Sequence, residues 1–163
     1  MDINVITYRN IEERDNKELA DLIRTVFREF KIDRPGTVYF DPTTDNLYKL
    51  FRISGSVYWI AEEKGIMAGG CGIYPTPGLP EGCAELVKLY LLHQCRGKGI
   101  GRTLMEKCFE SARKMGYNQL YLESLPELEK AVSMYTKAAF RHIPQALGNS
   151  GHFGCNIWMV KDL

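Results

Sequence analysis

The chain has 163 residues, enough for one domain with a substantial core and too few for two ordinary ones. Lysine and arginine total 21 against 20 for aspartate and glutamate, a formal net charge of +1, so bulk attraction to nucleic acid or an anionic membrane is excluded. No run approaches the roughly 18 apolar residues of a membrane span.

The opening MDINVITYRNIEERD is charged early and has no apolar signal core, so the expected location is cytoplasmic. Residues 3–8 (INVITY) read as a first strand. Residues 15–30 read as a helix, because Leu19, Leu22, Ile23, Val26, Phe27 and Phe30 recur on one helical face. Pro35, Gly36 and Pro42 make residues 31–42 a loop, and Leu47, Leu50 and Phe51 suggest a short second helix. The periodicity then switches. Residues 56–62 (SVYWIAE) and 66–74 (IMAGGCGIY) read as strands joined at a Lys64–Gly65 turn. Residues 75–82, with three prolines and two glycines, form an irregular connection to a third strand at 84–92.

A helix follows from a glycine loop, with Ile100, Leu104, Cys108 and Ala112 on one stripe, and runs to about Met115, where Gly116 stops it. Residues 120–122 read as a strand, 126–139 as a helix, 140–143 as a short strand and 152–160 as the closing strand. The order β-α-α-β-β-β-α-β-α-β-β has no internal repeat and implies one α/β (α+β) domain over residues 1–163, with a mixed sheet covered by helices. Cys71, Cys83, Cys95, Cys108 and Cys155 are odd in number and scattered without a C-x-x-C pair, so neither a disulfide framework nor a zinc site is expected.

The most informative stretch is 94–105, Q-C-R-G-K-G-I-G-R-T-L-M. Gly97, Gly99 and Gly101 leave backbone amides unshielded at a helix N-terminus, where orphan donors and the helix dipole both favour an anion. Arg96, Lys98 and Arg102 add local positive charge. A Walker loop is excluded because no lysine in the right frame precedes serine or threonine, and the G-x-G-x-G spacing after an antiparallel meander excludes a dinucleotide fold.

Residues 85–105 resemble the acyl-CoA-binding core of the GNAT N-acetyltransferase superfamily, whose hallmark is [RQ]-x-x-G-x-[GA]; the family register places it on residues 96–101. Residues 131–140 (AVSMYTKAAF) are similar to the family's A-x-x-L-Y-x-x-x-G-F. The resemblance implies a GNAT-like mixed, mostly antiparallel central sheet of about seven strands with helices on both faces. It implies acetyl-CoA as co-substrate, no metal, and a pyrophosphate held by Arg96, Gly97, Lys98, Gly99, Ile100, Gly101, Arg102 and Thr103. Leu89, Tyr90 and Leu91 match the segment whose backbone pairs with the pantetheine arm. Tyr135 matches the tyrosine that donates to the leaving thiolate, and Glu85 is the candidate base.

Two departures stand out. Glu127, Leu128 and Glu129 occupy the place of a family asparagine, and Ala139 replaces the glycine before Phe140. Residues 31–51, 74–82 and 145–153 are expected to build the acceptor pocket, with Tyr39, Phe40, Tyr74 and Phe153 as aromatic walls. Glu123 and Ser124 are further polar candidates; His142 and His152 are lone histidines without visible partners and read as structural, although the N-S-G-H-F-G segment around His152 can reach the acceptor site as a loop; and Asp41 and Asp45 either contact a cationic amine or cap helices. The expected partner is a small-molecule amine, with neither nucleic acid nor membrane; a homodimer is compatible with this reading. A degenerate CoA-binding protein, and transfer to a protein N-terminus or lysine, stay open as alternatives.

Overall fold

A computed structural model describes residues 5–163. Its strands are β1 (Ile6–Asn10), β2 (Val57–Glu63), β3 (Ile66–Tyr74), β4 (Cys83–Leu91), β5 (Gln119–Ser124), β6 (Arg141–Ile143) and β7 (Ile157–Asp162). Its helices are α1 (Asn16–Glu29), α2 (Leu47–Leu50), α3 (Ile100–Lys114) and α4 (Glu129–Lys137). The element order is the expected one. The first two residues of the expected opening strand lie outside the described residues, and β1 runs on to Asn10.

The strands form one sheet in the order β1-β2-β3-β4-β5-β7-β6, antiparallel except where β4 runs parallel to β5. Alternation along the strands sorts side chains between two cores. Tyr58 and Ile60 of β2 pack with Leu19, Ile23 and Phe27 of α1 on one face. Ala61 of β2, with Ala68 and Ile73 of β3, packs with Ile100, Leu104 and Cys108 of α3 on the other. Burying a leucine or isoleucine of this kind contributes about 1.5–3 kcal/mol, so each helix is held by several such terms.

Two irregularities in β4 shape the middle of the sheet. The parallel pairing with β5 covers only Cys83↔Gln119, Ala84↔Leu120 and Glu85↔Tyr121, so the two strands part beyond Glu85. Against β3, the register jumps between Gly70 and Gly72, and Lys88 takes the left-handed φ of 55° that marks a bulge. The bulge reverses the parity of the strand. Ala84 and Leu86 face the α3 core before it, and Leu89 and Leu91 face that core after it.

Two further elements start three or more residues later than the sequence reading expects. Helix α4 starts at Glu129 rather than at 126, after a turn closed by the Leu128 amide on the Leu125 carbonyl at 3.0 Å. The last strand starts at Ile157 rather than at 152, because residues 152–155 are drawn away from the sheet. The Gly154 amide donates to the Gly36 carbonyl at 2.7 Å, and His152 reaches Asp41.

Candidate active site

Two clefts meet where β4 and β5 part. The first lies between the separated strands and is lined by Glu85, Leu89, Tyr90, Ser124 and Tyr135. The second is lined by Asp41, Phe51, Tyr74, Thr76, Asn149 and His152. Glu85, Val87, Lys88 and His152 line both. All three segments expected to build the acceptor pocket therefore contribute to the second cleft.

Glu85 is the last residue of β4 still paired with β5, and it is 4 % exposed. Burial pushes its carboxyl up from 4.5 to about 7. The Thr76 hydroxyl, donating to Oε1 at 2.6 Å, holds the shift back, and the nearby Glu123 adds to it. A carboxyl poised there exchanges a proton readily near neutral pH.

Tyr135 sits in the last turn of α4 and is 8 % exposed. Burial raises its phenol well above its ordinary value, so it keeps its proton at neutral pH. Its orientation follows from how α4 ends. The Phe140 amide donates to the Tyr135 carbonyl at 3.0 Å, and the Ala139 amide to the Thr136 carbonyl at 3.1 Å. Ala139 takes φ 72°, and the Phe140 ring lies edge-on to Tyr135, centroids 5.9 Å apart. This is a Schellman stop, and its usual apolar contact is the one that fixes the tyrosine ring. Glu127 and Glu129 flank the start of α4, and Glu127 pairs with Arg34 at 3.1 Å.

The glycine loop enters α3 with Gly97 at φ 77° and Gly99 at φ 79°, the latter as N-cap. A Cβ at either would meet no protein atom within 4 Å, so backbone conformation, rather than crowding, calls for glycine, and the space above the loop is open. Gly101 differs: a Cβ there would come within 3.3–3.4 Å of Leu91 and Met134, so it serves close packing. Among the described residues, the amides of residues 97–102 donate to no protein acceptor, which is the requirement for an oxyanion cradle. Ile100 contributes an amide only, since its side chain is 1 % exposed in the core.

The loop's cations are already engaged. Arg96 grips Glu29 at 2.6 and 3.1 Å and donates to the Leu91 carbonyl at 2.8 Å, tying the loop to α1 and the end of β4. Lys98 pairs with Glu63 at 2.7 Å and Arg102 with Glu106 at 3.2 Å. Exposed pairs such as Arg102 with Glu106 stabilise by about 0–1 kcal/mol, so an incoming phosphate can compete for them. The Thr103 hydroxyl donates to the Gly99 carbonyl at 3.1 Å and supports the cap itself. Leu89, Tyr90 and Leu91 lie beyond the bulge, where half of the backbone groups of β4 face the gap left by β5.

Several residues escaped the sequence reading or changed role. His152 is not without a partner: its Nε2 lies 2.8 Å from Asp41 Oδ2, and that contact holds Asp41 well below the usual carboxylate range. Asp41 also caps the following turn through the Thr43 amide at 2.9 Å. Asp45 is occupied by Arg24 at 2.6 Å, away from both clefts. Glu123 accepts from the Tyr121 hydroxyl at 2.7 Å and from Ser150, which fastens the 145–153 loop. Of the expected aromatic walls only Tyr74 lines a cleft; Tyr39 packs on Phe27, while Phe40 and Phe153 are exposed, and His142 lies exposed on β6.

Tyr58 was unforeseen. Its ring lies against Gly70 and Gly72, where a Cβ would come within 2.4–2.6 Å, and its hydroxyl donates to the Lys88 carbonyl at 2.7 Å, pinning the bulge. Lys88 was hidden by its spacing: it stands three residues from Glu85, so a regular strand would place the two on opposite faces. The bulge puts both on the cleft side.

The chain matches the model of the acetyltransferase (GNAT) family over residues 18–140. It is 36 % identical over 156 residues to an uncharacterized N-acetyltransferase of Escherichia coli K12, YjgM, covering 95 % of this chain and 93 % of that one. Among solved structures it resembles a GNAT-family acetyltransferase from Staphylococcus aureus Mu50, with a TM-score of 0.82 at 20 % identity over 98 % of this chain and 99 % of the other. It also resembles the PaiA N-acetyltransferase of Thermoplasma acidophilum in complex with coenzyme A, with a TM-score of 0.76 at 18 % identity over 98 % and 99 % of the two chains.

Proposed function

The chain belongs to the acetyltransferase (GNAT) family, and from that premise we propose that it transfers an acetyl group from acetyl-CoA to the primary amine of a small, amino-acid-like acceptor by direct attack in a ternary complex. The observation that carries this reading is the position of Glu85, a buried carboxyl near pH 7 in its proton exchange, on the wall shared by both clefts. A base so placed can reach an amine in one cleft while the acyl donor lies in the other.

The residues present fit acetyl-CoA. The free amides of residues 97–102 suit its pyrophosphate, and the open edge of β4 beyond Glu85 suits an amide-bearing arm. When bound, acetyl-CoA supplies the acetyl group as a thioester. Glu85 Oε takes the proton released by the attacking amine, directly or through a water. Tyr135 Oη, whose phenol keeps its proton through burial, gives it to the departing sulfur. A backbone amide of β4 near the bulge polarises the carbonyl. Both clefts are walled by apolar side chains, Val87 in each, Leu125 in the first and Phe51 in the second, which limits water around the reacting atoms.

Thiol release from acetyl-CoA across a panel of small primary amines, peptides and lysine-bearing proteins tests this function. Turnover of small amines supports it. Tight CoA binding without turnover of any amine identifies a catalytically degenerate CoA-binding protein, and turnover confined to peptides or proteins moves the acceptor to those classes.

A further inference from the structure

Lys88 is the one ionisable group at the junction of the clefts that neither the acetyl-transfer chemistry nor the fold uses. It is 8 % exposed, yet its ammonium forms no hydrogen bond or ion pair among the described residues. Among the described residues no fully buried side-chain nitrogen or oxygen lacks a partner, so the Lys88 nitrogen opens onto the cleft, and even so a largely desolvated cation without a partner is costly. A second cost falls on the same residue, because a non-glycine side chain holds a left-handed φ of 55° in mid-strand. Glycine at this position would remove both costs. The bulge that creates the strain also keeps the side chain out of the α3 core and sets it on the face of Glu85, lining both clefts.

Burial opposes the charge on Lys88 while Asp41 and Glu85 favour it from a distance, yet neither carboxylate bonds to it. Asp41 is held by His152 and Thr43, and Glu85 by Thr76. Glu85 is also partly protonated near neutrality, which leaves it a weaker counter-charge to Lys88. Among the described residues Lys88 is the only lysine or arginine lining either cleft, and one cation matches a singly charged anion better than a doubly charged one.

We propose that Lys88 anchors a carboxylate of the acceptor, which makes the substrate a free amino acid, with its carboxylate on Lys88 and its amine presented to Glu85. This rests on the acetyl-transfer reading of the same site. An acceptor lacking the carboxylate leaves the buried ammonium unpaired, and sites of that kind discriminate strongly against the lesser ligand.

The test uses the full chain with acetyl-CoA and a set of free α-amino acids, each compared with its carboxamide and with the amine left when the carboxylate is removed. For the best acids, kcat/KM is expected to exceed that of the neutral partners roughly tenfold or more. Lys88→Met is expected to shrink this preference to within about threefold, and Lys88→Arg to restore most of it. Equal or better turnover of the neutral partners by the native protein overturns the proposal whether or not a variant folds. A preference that survives in a folded Lys88→Met protein does the same. If no amine turns over, binding of the same series to the CoA complex is measured by calorimetry. Binding of the acids over the amides that requires Lys88 keeps the anchor and removes the transfer reading; binding of no acid overturns the anchor.

Discussion

At Glu85 one environment sets both the chemistry of the carboxyl and its energetic cost. Its carboxyl is raised from 4.5 to about 7 by burial, so the deprotonated base accumulates as pH rises through 7. kcat/KM should therefore climb through a limb near pH 7, and Glu85→Gln should flatten that limb and lower the rate at pH 8 by at least about tenfold. A limb unchanged in Glu85→Gln would remove Glu85 as the base. Stability moves the other way. A carboxyl whose folded value lies above its unfolded value favours folding fully below about pH 4.5 and loses that contribution as pH rises through 7, a difference of about 3 kcal/mol. Glu85→Gln should thus be more stable than the native chain at pH 8 and nearly equal at pH 4 in denaturant titrations. Glu85 itself was legible in the sequence. Thr76, Asp41 with His152, and Lys88 were not assembled with it, because the loops and the bulge that bring them to Glu85 carry no short-range pattern.

The functional elements are helix ends, and each end has its own requirement. At the start of α3, Gly99→Asp should weaken CoA binding by at least about tenfold in calorimetry, while Gly99→Asn should retain most of the affinity. Both side chains tolerate a positive φ, and a carboxylate at a helix N-terminus favours the helix, so loss in Asp alone reports charge in the cradle rather than unfolding. At the end of α4, Ala139 holds φ 72° where the motif favours glycine. Ala139→Gly should stabilise the chain by about 1 kcal/mol and raise the thermal midpoint by about 2–4 °C. No gain would show that the Tyr135–Phe140 stop tolerates alanine without strain. The glycine spacing made the α3 loop readable from sequence. The start of α4 and of β7 were misplaced because a turn at 126–128 and a long-range tether through Gly36 outweighed local periodicity.

At the scale of the whole molecule, the sheet is divided by its one parallel pair. The antiparallel meander on one side and the β5-β7-β6 unit on the other meet only as far as Glu85, so the site is a consequence of topology. Element order and both helical faces were readable because alternation along β2 and β3 and the stripes of α1 and α3 are strong. The parting of β4 from β5 and the parity change at Lys88 were not readable from composition or periodicity, since each depends on which strand lies next to which. No helix among the described residues is long and apolar enough to cross a membrane. The central claim is that this fork transfers acetyl, with Tyr135 protonating the departing sulfur. Steady-state turnover and CoA affinity of Tyr135→Phe, measured together, test it most directly. The account predicts kcat lowered by about tenfold or more with the CoA dissociation constant within about twofold of native; unchanged kcat would contradict it.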